Sequence, residues 1–204
     1  MTTDLRIISG KFKKTKIEVV PGITPTLGRV RKSIFDILYS YYNIFRNVLD
    51  GFAGSGALGL EAISIGCDTA TFVEIEKTRI ITLINNIRRI AKVEHNYIYK
   101  MPLTLQNNEN QYHIIHKNLF DTNNSDHIYQ YDLVLLDPPF NLSINYICDF
   151  MHNNNILNKN GCCIVIHRKC GTNDTFFQPS EYFNVLLVRD IGPATVHLIH
   201  YQTT

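Results

Sequence analysis

The segment Val48-Leu49-Asp50-Gly51-Phe52-Ala53-Gly54-Ser55-Gly56-Ala57-Leu58-Gly59 decides the fold. A short apolar strand, Val48–Phe52, runs into a glycine turn. A helix opens there and continues to about Ile65. Gly54, Gly56 and Gly59 satisfy the spacing G-x-G-x-x-G. Glycine lets a backbone turn sharply and approach a ligand closely. The helix start then offers free N–H groups. Glu74 closes the next strand, 20 positions after Gly54, and can accept hydrogen bonds from ribose hydroxyls. This pattern suits a nucleoside in general, a dinucleotide included. Asp50 narrows the choice. A carboxylate at the tip of the first strand repels a pyrophosphate and suits a ligand with a positive end, such as the amino group and sulfonium of S-adenosylmethionine.

Working outward, the same rhythm continues. Thr69–Ile75 reads as a strand and Lys77–Lys92 as a helix with Ile80, Ile81, Ile84, Ile87 and Ile90 turned inward. The stretch from Glu94 to Gln111 is polar and irregular, longer than a tight connection needs. Tyr112–Ile115, Tyr131–Leu136 and Cys162–His167 read as strands, and Ser143–Met151 as a helix. Tyr182–Arg189 and Thr195–Tyr201, around Gly192-Pro193, read as an antiparallel hairpin. Strand–helix alternation from 47 to 167 predicts an α/β, Rossmann-like, mostly parallel doubly wound sheet with a C-terminal antiparallel hairpin. Upstream, residues 5–20 alternate apolar and basic positions around Ser9-Gly10 and predict a small hairpin. Thr26 is placed to cap a helix running to about Tyr42. Two parts are expected: 1–46, a basic hairpin and helix, and 47–204, the catalytic domain.

Asp137-Pro138-Pro139-Phe140 follows the strand Tyr131–Leu136, at the same sheet edge as the glycine turn. Two prolines hold φ near −65° and donate no N–H. The carbonyl between them and the Asp137 carboxylate form two acceptors for the hydrogens of a planar amino group. Phe140 is suited to stack on the ring that bears that group. An exocyclic base nitrogen is a poor nucleophile because its lone pair is delocalised. Acceptors on its hydrogens favour the pyramidal, nucleophilic form, and orientation supplies much of the rest.

Composition excludes several classes. The chain has 204 residues, 45% hydrophobic and 19% charged, as in a folded domain. No apolar run is long enough for a membrane span, and the N-terminus carries no signal-peptide pattern, so a cytoplasmic location is expected. The five cysteines, Cys67, Cys148, Cys162, Cys163 and Cys170, form no C-x-x-C pair and read as reduced thiols. His113/His116 and His197/His200 lie in expected strands, where residues three apart face opposite ways, so no metal site is expected. Net charge is +2, but residues 1–46 hold nine Lys/Arg against three Asp/Glu, a balance of +6, and the remainder stands at −4. That split suggests a phosphate-facing N-terminal part.

Together these residues resemble the RsmD-type family of small-subunit ribosomal RNA methyltransferases. Arg6-Ile7-Ile8-Ser9-Gly10-Lys11-Phe12 is similar to its opening hairpin. Pro25-Thr26 with Arg29-Val30-Arg31 and Phe35 is similar to its Arg-Pro-Thr-Thr-Asp-Arg-Val-Arg-Glu segment. Phe52 to Ala62, Val73-Glu74 and Asp137–Phe140 match its cofactor loop, ribose strand and catalytic motif. The resemblance implies a class I methyltransferase fold and methyl transfer from S-adenosylmethionine to N2 of a guanine in 16S RNA. It implies catalysis by Asp137, Pro138, Pro139 and Phe140. It implies cofactor binding by Asp50, Phe52, Ala53, Gly54, Ser55, Gly56, Glu74, Ile75, Asn118 and Leu119, with Asn118 near the adenine amino group. It assigns RNA contacts to Arg6, Lys11, Lys13, Lys14, Arg29 and Arg31. The implied partner is small-subunit ribosomal RNA, free or in a 30S particle, met by a monomer away from membranes. Departures from the family pattern are Thr24, Leu27, Gly28, Lys32 and His167. Three other readings stand beside this one: amino-methylation of adenine in DNA or RNA, an NAD-dependent oxidoreductase, and a non-catalytic RNA-binding protein. The second leaves Asp50 and the Asp-Pro-Pro-Phe segment unexplained. The third predicts decay of Asp137 or the glycines.

Overall fold

A computed structural model describes residues 5–21, 26–42, 45–92, 101–122, 126, 130–138, 142–168 and 180–202. The elements in chain order are β1 (Leu5–Arg6), β2 (Lys16–Ile17), α1 (Gly28–Tyr41), β3 (Asn47–Asp50), α2 (Ala57–Ser64), β4 (Thr69–Glu74) and α3 (Lys77–Ala91). They continue with β5 (Leu103–Gln106), β6 (Gln111–His116), β7 (Tyr131–Leu136), α4 (Ile144–Asn153), β8 (Leu157–Arg168), β9 (Phe183–Ile191) and β10 (Ala194–Tyr201). β1 and β2 form a separate two-stranded ribbon, and the other eight strands form one sheet in the order β5-β6-β4-β3-β7-β8-β10-β9.

The five central strands, β6, β4, β3, β7 and β8, run parallel. β5 pairs antiparallel with β6, and β10 with both β8 and β9. From β3 the chain winds outward to β4 and β6, then returns to β7 on the other flank of β3. The reversal point therefore lies between β3 and β7. Open α/β sheets bind ligands at that point, outside the carboxyl ends of the strands. Asp50 ends β3 and Asp137 follows β7, so the fold sets both acids at this crevice.

The strand period of two divides the core between the faces of the sheet. Val48, Leu133, Leu135, Ile164 and Ile166 face α1, α2, α3 and the ribbon. Leu49, Val134, Leu136, Cys163 and Val165 face α4. Leu5, Ile7, Ile17, Val30, Ile34 and Phe35 belong to the first cluster. The boundary at Arg46 thus separates no core: the N-terminal apolar residues belong to the same cluster as α2, α3 and this face of the sheet.

Several expectations are corrected. The stretch expected to be irregular contains β5, whose Leu103 and Leu105 are buried while Thr104 and Gln106 are exposed. β8 starts at Leu157, five residues early, with a register shift opposite Tyr131–Leu133. Thr26 does not cap α1. The N-cap is Leu27, which makes no side-chain capping bond. The two ribbon strands have two residues each, shorter than the alternation suggested. His167 sits in β8 opposite Thr195. Cys67, Cys148, Cys162 and Cys163 are free and buried, and burial pushes the thiols of Cys67 and Cys148 up to about 12, so they stay protonated. Cys170 and Thr24 lie outside the described residues.

The ribbon is tied to α2 by polar side chains rather than by shape alone. The Glu61 carboxylate accepts from Ile8 N at 3.0 Å and Ser9 N at 2.7 Å. Ser64 Oγ accepts from Phe12 N at 3.0 Å and donates to the Ser9 carbonyl. Arg31, 1% exposed, donates to the Arg6 carbonyl at 2.7 Å and lies in the field of Glu61. Removing one charge from such a buried set leaves the other uncompensated. Glu61→Gln should therefore lower unfolding stability by about 2 kcal/mol, read as a shift in urea midpoint at unchanged slope. A change below about 0.5 kcal/mol would show that the carboxylate does not hold the ribbon.

Candidate active site

The glycine turn is built by close approach. Gly56 takes φ +82°, a left-handed conformation, and a Cβ there would lie 2.4 Å from Leu83 Cδ1. At Gly59 a Cβ would strike the Phe72 ring at 2.4 Å, so glycine lets α2 settle onto β4. Backbone bonds anchor the turn to both neighbouring strands: Gly51 N donates to the Leu135 carbonyl and Ala53 N to that of Val73, each at 3.0 Å. The turn thereby spans the crevice between β4 and β7.

Asp50 is 1% exposed. Its Oδ2 accepts from Gly59 N at 2.9 Å, in the first turn of α2. Its Oδ1 is buried with no hydrogen-bond partner among the described residues. Burial raises its pKa to about 7, the Gly59 N–H pulls it back, and the charges of Asp137 and Glu74 push it up again. A buried acceptor oxygen at a strand tip, left without a donor, fits a ligand carrying positively charged N–H groups or a sulfonium.

Glu74 is 4% exposed and holds two backbone segments. Its Oε2 accepts from Gly54 N at 2.8 Å and its Oε1 from Glu76 N at 2.9 Å, while Arg79 Nη1 stands 3.7 Å from Oε1. A ribose would share this carboxylate with the turn it braces. Ile75, the next residue, is 57% exposed and offers an apolar wall at the strand end. Asn118 Oδ1 accepts from Phe120 N at 3.1 Å and so caps a short 3₁₀ turn, Leu119–Asp121. The Leu119 side chain is buried beneath the glycine turn, where a Cβ at Gly51 would meet it at 2.9 Å. Phe52 packs toward Phe120, ring centroids 6.2 Å apart. Asp137 and Pro138 follow β7 as expected, and Pro139 and Phe140 lie outside the described residues.

Two contributors carry signals that the motifs do not contain. Asn86 of α3 is fully buried. Its Oδ1 accepts from Glu18 N at 2.8 Å, and its Nδ2 donates to the Glu18 carbonyl at 2.9 Å and the Ser55 carbonyl at 3.0 Å. One amide thus joins the segment after the ribbon to the glycine turn. Its spacing, three residues after Leu83, sets it on the buried face of the helix and was the available sign. The second is Thr26, whose hydroxyl donates to Asp137 Oδ2.

The basic residues divide. Arg31 is interior, so it is not available to RNA. Lys11 pairs with Glu109 at 2.7 Å and Asn110 at 2.6 Å, in the turn before β6. That turn sits at the amino ends of the parallel strands, the edge opposite Asp50 and Asp137, and the partners absorb the Lys11 charge. Lys13 and Lys14 are exposed in the same ribbon turn, and Arg6 Nη1 donates to the Lys14 carbonyl. Arg29 and Lys32 are exposed on the first turns of α1, beside Thr26, with Lys32 paired to Asp36. Arg29 also packs closely on Gly192 of the turn between β9 and β10.

The Asp50 shift has a sign that can be tested. Its pKa is about 7 in the fold against 3.8 for an ordinary aspartate. The folded state therefore keeps a proton that the unfolded state has lost between about pH 4 and 7, and stability falls as pH rises through that window. Asp50→Asn should remove this fall: the variant matches the parent near pH 4 and exceeds it by about 4 kcal/mol at pH 8. Equal stability of both proteins at pH 8 would contradict the buried, uncompensated carboxylate.

A family model described as Conserved hypothetical protein 95 matches residues 5–199. The chain is 36% identical to ribosomal RNA small subunit methyltransferase D of Buchnera aphidicola over 136 residues, 66% of this chain and 62% of that relative. It is 33% identical to the protein of the same name from Haemophilus influenzae over 147 residues, 69% of this chain and 66% of that one. The matched region thus spans less than two thirds of these curated relatives. A solved structure from Escherichia coli, described as a putative methyltransferase, superposes with TM-score 0.73 at 21% identity, covering 98% of this chain and 99% of that one. That likeness shows a shared Rossmann-like methyltransferase fold. Since the family model runs unbroken from the ribbon through the glycine turn and Asp137 to β10, the chain belongs to that family, the RsmD-type group its motifs resemble.

Proposed function

We propose that this protein methylates the exocyclic N2 amino group of a guanine in small-subunit ribosomal RNA, with S-adenosylmethionine as donor. The observation that carries the reading is the pair of acids at the reversal point of the sheet, Asp50 buried with an oxygen unpartnered and Asp137 on the neighbouring strand tip. The relatives' names support the RNA substrate. Three carboxylates, Asp50, Glu74 and Asp137, act in one electrostatic neighbourhood. They oppose the pyrophosphate of a dinucleotide and favour a cationic ligand.

When bound, S-adenosylmethionine supplies a methyl group on a positively charged sulfur. Asp50 Oδ1 is the acceptor for the positive end of the ligand. Gly54 and Gly56 let the turn lie close to it, and Glu74 is the acceptor for ribose hydroxyls. Asp137 accepts a hydrogen of the incoming amino group and draws its nitrogen toward the pyramidal form. That nitrogen gains the methyl and loses one proton, which passes finally to water. The same reading makes residues 1–46 the RNA-facing part. Its candidate contacts narrow to Arg29 near the site and to Arg6, Lys13 and Lys14 on the ribbon. It makes the partner small-subunit RNA, free or in a 30S particle, met by a monomer in the cytoplasm.

Asp137→Ala should lower methyl transfer about a hundredfold or more, while the calorimetric affinity for S-adenosylmethionine stays within about threefold of the parent. Equal loss of both would make Asp137 a ligand-holding residue and overturn its assignment. Tight binding of NAD in place of S-adenosylmethionine would overturn the donor.

A further inference from the structure

We propose that Tyr146, backed by Phe120, is a stacking ledge for a nucleobase of the substrate RNA, next to the guanine presented to Asp137. The inference rests on the RNA-methylation reading of the site and adds what grips the strand beside it.

The ledge ends a row of rings. Phe52 lies in the glycine turn, Phe120 in the 3₁₀ turn after β6, and Tyr146 and Phe150 in α4, the helix that follows Asp137. The Phe120 centroid stands 6.2 Å from that of Phe52, 4.9 Å from Tyr146 and 5.0 Å from Phe150. These are the separations of favourable tilted and edge-on pairs. In the sheet β6 and β7 are separated by β4 and β3. The turn after β6 nevertheless meets the helix after β7, and the rings are what join them. The row therefore lines the α4 side of the crevice and runs from the glycine turn out to the surface.

The core of α4 does not call for an aromatic residue at its outer end. The helix buries Ile144, Ile147, Cys148 and Met151. Tyr146 stands off that face in the first turn and is 52% exposed. A single exposed ring is ordinary. A ring that ends an unbroken row starting at the cofactor turn has a direction, and it leads to the place where the substrate enters.

The occupant follows from the chemistry. An enzyme that modifies a base takes it out of its stack, and the neighbouring base loses a stacking partner. Aromatic side chains supply that partner when proteins hold unstacked RNA, and they do so for any base, since every base has a π-face. The adenine of S-adenosylmethionine suits Tyr146 less well. Its expected contacts, Ile75 and Asn118, come from the ends of β4 and β6, whereas Tyr146 comes from the β7 side, where the amino group arrives. A neutral ring also gives a phosphate no counter-charge.

The test compares the parent with Tyr146→Phe, Tyr146→Leu, Tyr146→Ala and Asp137→Ala. Each is assayed with S-adenosylmethionine and either transcribed small-subunit RNA or 30S particles, with cofactor affinity and melting midpoint recorded for every variant. Tyr146→Leu and Tyr146→Ala should raise KM for RNA about tenfold, with kcat and cofactor affinity within about threefold of the parent. Tyr146→Phe, which keeps the ring, should stay within about threefold in KM. The salt dependence of KM should keep the parental slope, because a stacked ring releases no counterions. Parental KM in Tyr146→Leu and Tyr146→Ala, beside an inactive Asp137→Ala, would overturn the inference alone. So would a Tyr146→Phe as impaired as Tyr146→Ala, or a flattened salt slope, since either would mark a polar contact through the hydroxyl. A loss of cofactor affinity or a fall in melting midpoint that matches the rise in KM would overturn it as well. An Asp137→Ala as active as the parent, or a parent without methyl transfer on either RNA, would instead overturn the reading of the site, and this inference with it.

Discussion

Asp50 is a carboxylate in the interior with one oxygen bound to a backbone N–H and the other unsatisfied among the described residues. Burying a charge that way is costly unless something arrives to pair with it. The surrounding structure makes the arrangement possible. β3 is the central strand of the sheet, covered on one face by α2 and on the other by the α4 cluster, so its tip is dry. The chain reverses direction beside it, so no crossover helix blocks the crevice. Glu74 and Asp137, which further raise the cost, come from the adjacent strands β4 and β7. A site of this kind is unstable toward its own charges and selective for a cation. That is the physical content of the methyltransferase reading.

The N-terminal residues contribute more than positive charge. Glu61 receives the ribbon from the same helix whose first turn binds Asp50. Asn86 ties the segment after the ribbon to the glycine turn. Thr26 reaches Asp137 from the chain just before α1. The segment that meets RNA in the proposed function is therefore wired to the helix, the turn and the acid that meet the other reactants. The opposite-edge position of Lys11 and the interior position of Arg31 fit the same picture. Two of the N-terminal cations, Lys11 and Arg31, serve docking, and Arg6, Lys13, Lys14 and Arg29 are left for phosphate.

The parallel sheet, the glycine turn and the two strand-tip acids were legible because each rests on local pattern: apolar runs of strand length, glycine spacing, and acids immediately after strands. Most of what was illegible depends on partners distant in the chain. Arg31 has the type of a surface residue, yet it lies three residues before Ile34 and four before Phe35, on the inward row of α1. Position prevailed because the Arg6 carbonyl receives it and the charge of Glu61 favours it. β5 has a readable alternation, Leu103-Thr104-Leu105-Gln106, masked by Pro102 and the asparagines around it. Thr26 satisfied a local rule for capping that the tertiary contact overrode. For Arg31 and Thr26 the side chain's chemistry was plain and its partner lay tens of residues away.

The most direct measurement is the identity of the modified nucleoside. Purified protein is incubated with isotopically labelled S-adenosylmethionine and unmodified small-subunit RNA, as transcript and as 30S particle. The RNA is digested and its nucleosides are resolved by mass spectrometry. The account predicts label in N2-methylguanosine on at least one of the two substrates, absent when Asp50→Asn replaces the parent. Label in N6-methyladenosine, or none on either substrate, would contradict it.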